Sequence, residues 1–131
     1  MSKQSQFRTE ARDFILYKKE VRRRIKELGL LEYRVSFQHK DDNLGDEETP
    51  TRAYVYLKYP YATFGLSVDW DDDPVSDARI RYCAAHEVRH LLLNRLAALA
   101  KDRYATEKEI DEAEEATIHR LDYLEFGDTI G

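Results

Sequence analysis

The segment from Val75 to Ala100 carries apolar residues on most of its circumference when it is drawn as a helix. These residues are Ile80, Tyr82, Cys83, Ala84, Ala85, Val88, Leu91, Leu92, Leu93, Leu96, Ala97 and Leu99. A helix of this kind is buried at the centre of a fold or spans a membrane. Because no apolar run approaches the roughly eighteen residues of a membrane span, we expect a central buried helix. Asp73 followed by Pro74 predicts its start, as N-cap and first helical residue.

Helical periodicity also marks both ends of the chain. Over residues 7–28, apolar side chains recur at three- and four-residue steps, which is typical of an amphipathic helix. Gly29 then supplies the left-handed residue that often ends a helix. Thr106 and Glu109 have the spacing of a capping box, which predicts the start of a last helix. We expect Gly127 to end that helix.

Between these helices the apolar period changes to two. Residues 31–38, 53–58 and 63–68 alternate apolar and polar side chains, which predicts three strands. The second and third strands are separated by a short turn at Pro60, so we expect them to form an antiparallel hairpin. The charged stretch from Asp41 to Arg52 is interpreted as a mobile loop. The sequence therefore predicts an α+β fold with an N-terminal helix, a small, mostly antiparallel three-stranded sheet, a buried helix and a C-terminal helix.

Length and charge limit the class of protein. A chain of 131 residues has room for one core, so we expect a single domain over residues 1–131. Its formal net charge of -5 argues against a general affinity for nucleic acid. We interpret the basic cluster Lys18–Arg24 as a solvated helix face with Glu20 and Glu27 as neighbours. The first residues resemble no signal peptide and Cys83 is the single cysteine, so we expect a cytoplasmic protein.

A possible metal site lies inside the apolar helix, where residues 86–90 read His-Glu-Val-Arg-His. Histidines at positions i and i+4 project from the same face of a helix, so both imidazoles can reach one tetrahedral metal ion, typically zinc. Glu87 lies about 100° around the helix from His86. From there it can take a proton from a metal-activated water without being a ligand. The spacing predicts His86 and His90 as zinc ligands and Glu87 as a general base.

The apolar surroundings favour this interpretation, because a polar cluster among Ala, Val and Leu is costly to bury unless something satisfies it. The alternative is a pair of hydrogen-bonded core histidines, with Glu87 and Arg89 at the edge of a packed helix. Arg89 would repel a metal ion if it faced the site, and would be harmless if it pointed outward. Cys83 is interpreted as a buried structural thiol, and His119 as a partly exposed residue of the last helix.

A third ligand is expected from the last helix. Its buried stripe is predicted to consist of Ile110, Ala113, Thr117, Leu121 and Leu124. Glu114 lies close to the centre of this stripe and Glu115 lies beyond its margin, so periodicity alone favours Glu114. Asp111 is a weaker candidate on the same flank. Taken singly, each of the three is typical of a solvated acidic face.

The span from Ile80 to Asp122 resembles the small metallopeptidases encoded in phage and prophage genomes, which belong with the zincins whose third ligand is a glutamate. The similar segments are Ala85–Leu93, which contains the two histidines, and Glu114–Asp122. The predicted order of helices and strands is similar as well. The resemblance implies four site residues, namely the zinc ligands His86, His90 and Glu115 and the general base Glu87.

The resemblance and the periodicity therefore disagree about the third ligand. We predict Glu115, because the family pattern is the more specific signal and a small change in helix position alters which residue faces inward. The chain also has no second lobe of the kind that closes the substrate cleft of larger metallopeptidases.

Three functions follow as hypotheses. The first is a zinc-dependent metallopeptidase that hydrolyses peptide or protein substrates with a metal-activated water and Glu87 as the base. The alternative is a non-catalytic binding module of phage origin, either stapled by zinc or free of metal. A DNA-associated phage accessory protein that uses the Lys18–Arg24 cluster ranks below both. A phage-encoded protein would act in the cytoplasm of the bacterial host.

Overall fold

The computed structural model describes residues 6–42 and 51–130, with side chains as far as residue 125. Its fold is α+β, as the change of apolar period predicts. The elements are β1 (Phe7–Arg8), α1 (Ala11–Glu27), β2 (Arg34–His39), β3 (Ala53–Lys58), β4 (Tyr61–Leu66), β5 (Asp69–Asp71), α2 (Asp77–Lys101) and α3 (Glu107–Ile130). None of the described helices combines the length and the apolar character that are needed to cross a membrane. Most of the predicted loop from Asp41 to Arg52 lies outside the described residues, as do the first five residues.

The main sheet has three strands in the order β2-β4-β3. β3 and β4 form the predicted antiparallel hairpin, in which Ala53 pairs with Leu66 and Lys58 with Tyr61. β2 runs parallel to β4 along its other side, so the sheet is mixed, and the prediction of a mostly antiparallel sheet is corrected. Alternation of apolar and polar residues marks a strand but does not encode its neighbour or its direction, which depend on contacts distant in sequence.

Gly65 in the central strand allows one close contact within this sheet. Tyr54 on β3 is paired with Gly65 on β4, and a Cβ atom added at Gly65 would lie 2.0 Å from the Tyr54 ring. The Tyr54 ring therefore lies directly over the glycine, and its hydroxyl donates a 3.0 Å hydrogen bond to the carbonyl of Lys40. This contact ties the edge strand β3 to the end of β2.

A second, two-stranded sheet joins the N-terminus to the segment before α2. β1 pairs antiparallel with β5, so residues 7 and 8 form a strand where the sequence predicted helix. The first helix begins at Ala11, where the backbone N–H of Glu10 donates a 2.7 Å hydrogen bond to the Asp13 carboxylate. Between strand and helix, the buried Thr9 hydroxyl donates a 2.8 Å hydrogen bond to the carbonyl of Ser67. Strands of two and three residues are too short to show a periodic pattern, which is why this sheet was not predicted.

The basic cluster on α1 is a solvated face, as predicted, and two of its arginines pair with glutamates of the same helix. Glu20 is buried, and its carboxylate accepts hydrogen bonds of 2.5 Å from Arg23 and 3.1 Å from Arg24. Hydrogen bonding from Arg23 lowers the pKa of Glu20 and outweighs the opposing effect of burial. Arg23 also donates to Glu27 at 2.6 Å. The charges of Arg23 and Arg24 are therefore committed to contacts within their own helix.

The start of α2 differs from the prediction. Ser76 is the N-cap, and its hydroxyl accepts a 3.2 Å hydrogen bond from the backbone N–H of Arg79. The Asp73 carboxylate instead accepts a 2.5 Å hydrogen bond from the Arg79 guanidinium and contacts Arg52. Asp73 thus forms ion pairs with Arg79 on α2 and with Arg52, which precedes β3. The prediction of Asp73 as the N-cap is wrong.

The predicted capping box of α3 is confirmed, and its predicted end is not. The Thr106 hydroxyl accepts a 3.1 Å hydrogen bond from the backbone of Glu109, whose carboxylate accepts one of 3.1 Å from the Thr106 backbone. The helix then continues past Gly127 to Ile130. Glycine weakens a helix by only about 1 kcal/mol relative to alanine, so it does not by itself force an end.

α2 lies at the centre of the fold but is buried along one side only. Its buried residues face α1, the sheet and α3 and end at Leu92, whereas Tyr82 and Leu93 are exposed. α1, with 17 residues, is shorter than α2, with 25. At about 1.5 Å per residue the shorter helix cannot cover the longer one along its length. The prediction of a helix buried on most of its circumference is therefore corrected.

Candidate metal centre

His86, Glu87 and His90 form one cluster on α2, called here the α2 cluster. One possible ligand atom from each residue lies within 4.8 Å of those of the other two. The two imidazole rings lie edge to face, with centroids 5.2 Å apart and an interplanar angle of 82°. The helix itself produces this arrangement, since residues four apart lie on the same face one turn from each other.

Burial divides the α2 cluster into an outer and an inner part. Both histidines are exposed, whereas Glu87 is 8% exposed. The 100° turn between neighbouring helical residues accounts for this difference, because it directs Glu87 toward the side of α2 that packs on the core. Burial removes the carboxylate from water and raises the pKa of Glu87 to about 7. In the absence of a cation this carboxyl group is therefore largely protonated below neutral pH.

The inner side of the α2 cluster is formed by Tyr17 on α1 and Cys83 on α2. Both are buried. Desolvation raises the pKa of the Tyr17 hydroxyl, and the charge of Glu87 raises it further. The same two causes raise the pKa of the Cys83 thiol. Cys83 is thus the buried thiol that the sequence predicts.

The outer side is bordered by residues of the same helix. The Tyr82 ring stacks near His86, with centroids 6.2 Å apart and an interplanar angle of 30°, and its side chain is 66% exposed. The apolar pattern of α2 predicts Tyr82 as a core residue, and the structure corrects this prediction. The position of Tyr82 four residues before His86 is the signal that could have placed it beside the site. Arg89 is also exposed.

The third ligand that the resemblance implies lies on α3. The Glu115 side chain is 65% exposed, and one of its carboxylate oxygens lies 3.4 Å from Nε2 of His119, itself 71% exposed. Glu114 and Asp111 are exposed as well. Over the described residues, the structure brings none of these three carboxylates into the α2 cluster. The assignment of Glu115 therefore stays a prediction.

The donor atoms of the α2 cluster fit a metal ion. Imidazole nitrogens and a carboxylate oxygen are ligands that zinc and other divalent transition metals accept. Two of the three donors are open to solvent, which provides a route for an ion to enter. The α2 cluster could thus hold a metal ion through His86, Glu87 and His90.

Comparisons with known proteins identify no relative: no family model, no curated protein and no solved structure matches the chain. What the protein does must therefore be inferred from the residues of the site.

Proposed function

We propose that the protein is a zinc-dependent metallopeptidase that hydrolyses peptide bonds. The observation that carries the proposal is the α2 cluster, in which the possible ligand atoms of two solvent-facing imidazoles and one nearly buried carboxyl group lie within 4.8 Å of one another. A pair of satisfied core histidines would be buried and hydrogen-bonded, and these two rings are exposed. The resemblance of residues 80–122 to phage metallopeptidases supports the same function and a site of action in a bacterial cytoplasm.

In this proposal His86 and His90 hold the ion through their imidazole nitrogens, and Glu115 on α3 adds a carboxylate. A zinc ion bound there would supply Lewis-acid polarisation of the scissile carbonyl and make a water molecule more acidic. Glu87 takes the proton of the attacking water and passes it to the leaving amine. Its carboxylate is ionised beside a divalent cation, because a positive charge favours the charged form of an acid.

The placement of the sheet favours an extended peptide as the substrate. β3 lies at an edge of the described sheet and is in contact with α2. An edge strand presents unpaired N–H and C=O groups to which an extended chain can add as a further strand. A peptide bound in this way would lie beside the helix that carries the α2 cluster.

A zinc-stapled binding module is the second candidate. The position of Glu87 favours it, because its carboxylate lies within 4.8 Å of both imidazole donors and so is close enough to be a ligand itself. In that case Glu87 would bind the ion and no general base would remain in the α2 cluster.

Metal analysis together with Glu87→Gln separates the two candidates. For a peptidase, the Glu87→Gln protein should keep one zinc ion per chain and lose about a hundredfold to ten-thousandfold in the rate of peptide-library cleavage. For a zinc-stapled module, the same variant should lose zinc, and wild type should cleave nothing.

His90→Ala tests the site itself, with Arg89→Ala as the matched control because Arg89 is an exposed residue of the same helical turn. Zinc should be lost in His90→Ala and retained in Arg89→Ala. Full zinc occupancy in a His86→Ala/His90→Ala double variant would contradict both candidates.

A further inference from the structure

A cavity lies between α2, α3 and the segment that leads into β2. Unlike the polar α2 cluster, it is lined mainly by apolar residues. Its volume is about 530 Å³, within the roughly 300–1,000 Å³ of typical small-molecule sites. Its floor is apolar, formed by the buried side chains of Leu30, Leu91 and Ala113. The small side chains of Ala98 and Ala116 also line it, and they leave space that larger residues would fill. The interior therefore suits an apolar group.

Most polar groups around the cavity already have partners. The Tyr33 hydroxyl accepts a 3.1 Å hydrogen bond from Asn94 and donates one of 3.4 Å to the carbonyl of Leu91. Arg120 donates to two backbone carbonyls at the end of α1 and lies 3.3 Å from the carboxylate of Glu32. These contacts hold the walls in place and leave the groups little capacity for a ligand.

Arg95 is the exception. It lines the cavity and is exposed, and it makes no ion pair or hydrogen bond with any residue in the described part of the chain. With Arg120 balanced by Glu32, the lining carries one uncompensated positive charge. This charge stands at an apolar cavity in a chain whose net charge is -5. A guanidinium group in such a place is suited to pair with a carboxylate.

We propose that this cavity binds a small amphipathic carboxylate, with its aliphatic body between α2 and α3 and its carboxylate on Arg95. The proposal does not depend on the α2 cluster or on the peptidase function. It rests on the combination of a partly open cavity with an apolar floor and a single unpaired cation at its rim.

The test uses decanoate, kept below its micelle concentration, and decanol as the uncharged analogue of the same length. Binding is measured by calorimetry and by the NMR shifts of the Ala98, Ala113 and Ala116 methyl groups. The protein is the full chain carrying His86→Ala and His90→Ala, so that no metal ion in the α2 cluster can capture the carboxylate. We expect saturable decanoate binding that shifts these methyl signals.

Two variants and one control test where the carboxylate and the aliphatic body of the ligand bind. Arg95→Gln should weaken decanoate binding about tenfold and leave decanol binding unchanged, because only the charged head is affected. Arg81→Gln, an exposed arginine of the same helix that does not line the cavity, should change neither. Ala98→Leu/Ala116→Leu narrows the cavity and should weaken the binding of both ligands. Its circular dichroism spectrum is compared with that of the parent protein.

Three results would overturn the proposal. They are the absence of saturable decanoate binding to the parent protein, equal decanoate affinity in Arg95→Gln and Arg81→Gln, and methyl shifts confined to residues outside the cavity. The surface variant Arg95→Gln decides the question even if the double leucine variant does not fold.

Discussion

Glu87 places a carboxyl group where α2 packs on the core, among residues such as Val88 and Cys83 that are buried as well. In a metal-free protein this position favours the neutral acid, whereas a neighbouring cation favours the carboxylate. At high pH the ionised Glu87 therefore lowers the stability of the metal-free protein. A bound cation offsets this loss. Such a conflict between local stability and charge is typical of functional residues.

The pH dependence of the metal-free protein follows from Glu87. Its pKa is raised from 4.5 to about 7 in the folded state, so the folded state holds the proton more tightly than the unfolded state does. The stabilising contribution of protonated Glu87 should be fully present below pH 4.5 and should be lost as the pH rises through 7. The loss at pH 8 amounts to roughly 3 kcal/mol.

Glu87→Gln removes this loss. With a chelator present, urea unfolding at pH 8 should show the variant to be more stable than wild type, and at pH 4 the difference should largely disappear. The same difference at both pH values would show that the titration of Glu87 is not its cause.

Within α1, the buried Glu20 carboxylate accepts hydrogen bonds from Arg23 and Arg24 of the same helix. The pKa of Glu20 is lowered, so its contribution to stability is present above pH 4.5 and is lost as the pH falls through the lowered pKa. Glu20→Gln should reduce the free energy of unfolding at pH 7 by ~1–3 kcal/mol, since hydrogen bonds to a charged group are lost. Glu27→Gln is the control, because the Glu27 side chain is 33% exposed and should contribute under about 1 kcal/mol. Equal losses in both variants would contradict this assignment.

In the main sheet, the contact of Tyr54 with Gly65 predicts that Gly65→Ala is destabilising. The added methyl group would overlap the Tyr54 ring and force the edge strand to shift, at a cost of about 1–3 kcal/mol. In a Tyr54→Ala background the same substitution should cost much less, because the obstructing ring is gone. Thermal unfolding of the four proteins in this cycle measures the coupling, and additive effects would argue against the contact.

For the whole molecule, the predicted ligand Glu115 has a consequence that a site confined to α2 does not have. If Glu115 binds the ion, zinc connects α3 to α2, and hydrogen exchange of the α3 amides should slow when zinc is added. Glu115→Gln should remove that protection, whereas Glu114→Gln should not. Protection that persists in Glu115→Gln and is lost in Glu114→Gln would transfer the ligand role to Glu114.

The sequence predicted what local patterns encode. The helical stripe of α1, the hairpin of β3 and β4 and the capping box at Thr106 all depend on residues close together in the chain, and all three are present. The α2 cluster was predictable for the same reason, because its spacing is a property of one helix. The parallel partner of β2, the pairing of β1 with β5 and the ion pairs of Asp73 depend on residues far apart in sequence. Apolar periodicity carries no information about those contacts.

The local character of the α2 cluster bears on the order in which the protein assembles. His86, Glu87 and His90 come together as soon as one turn of α2 is helical, before any contact between distant elements forms. An ion bound by both imidazoles would stabilise that turn and offset part of the cost of helix nucleation. We therefore expect zinc to increase the helical content of an isolated peptide covering residues 77–101, and a ligand on α3 to join only when the chain has collapsed.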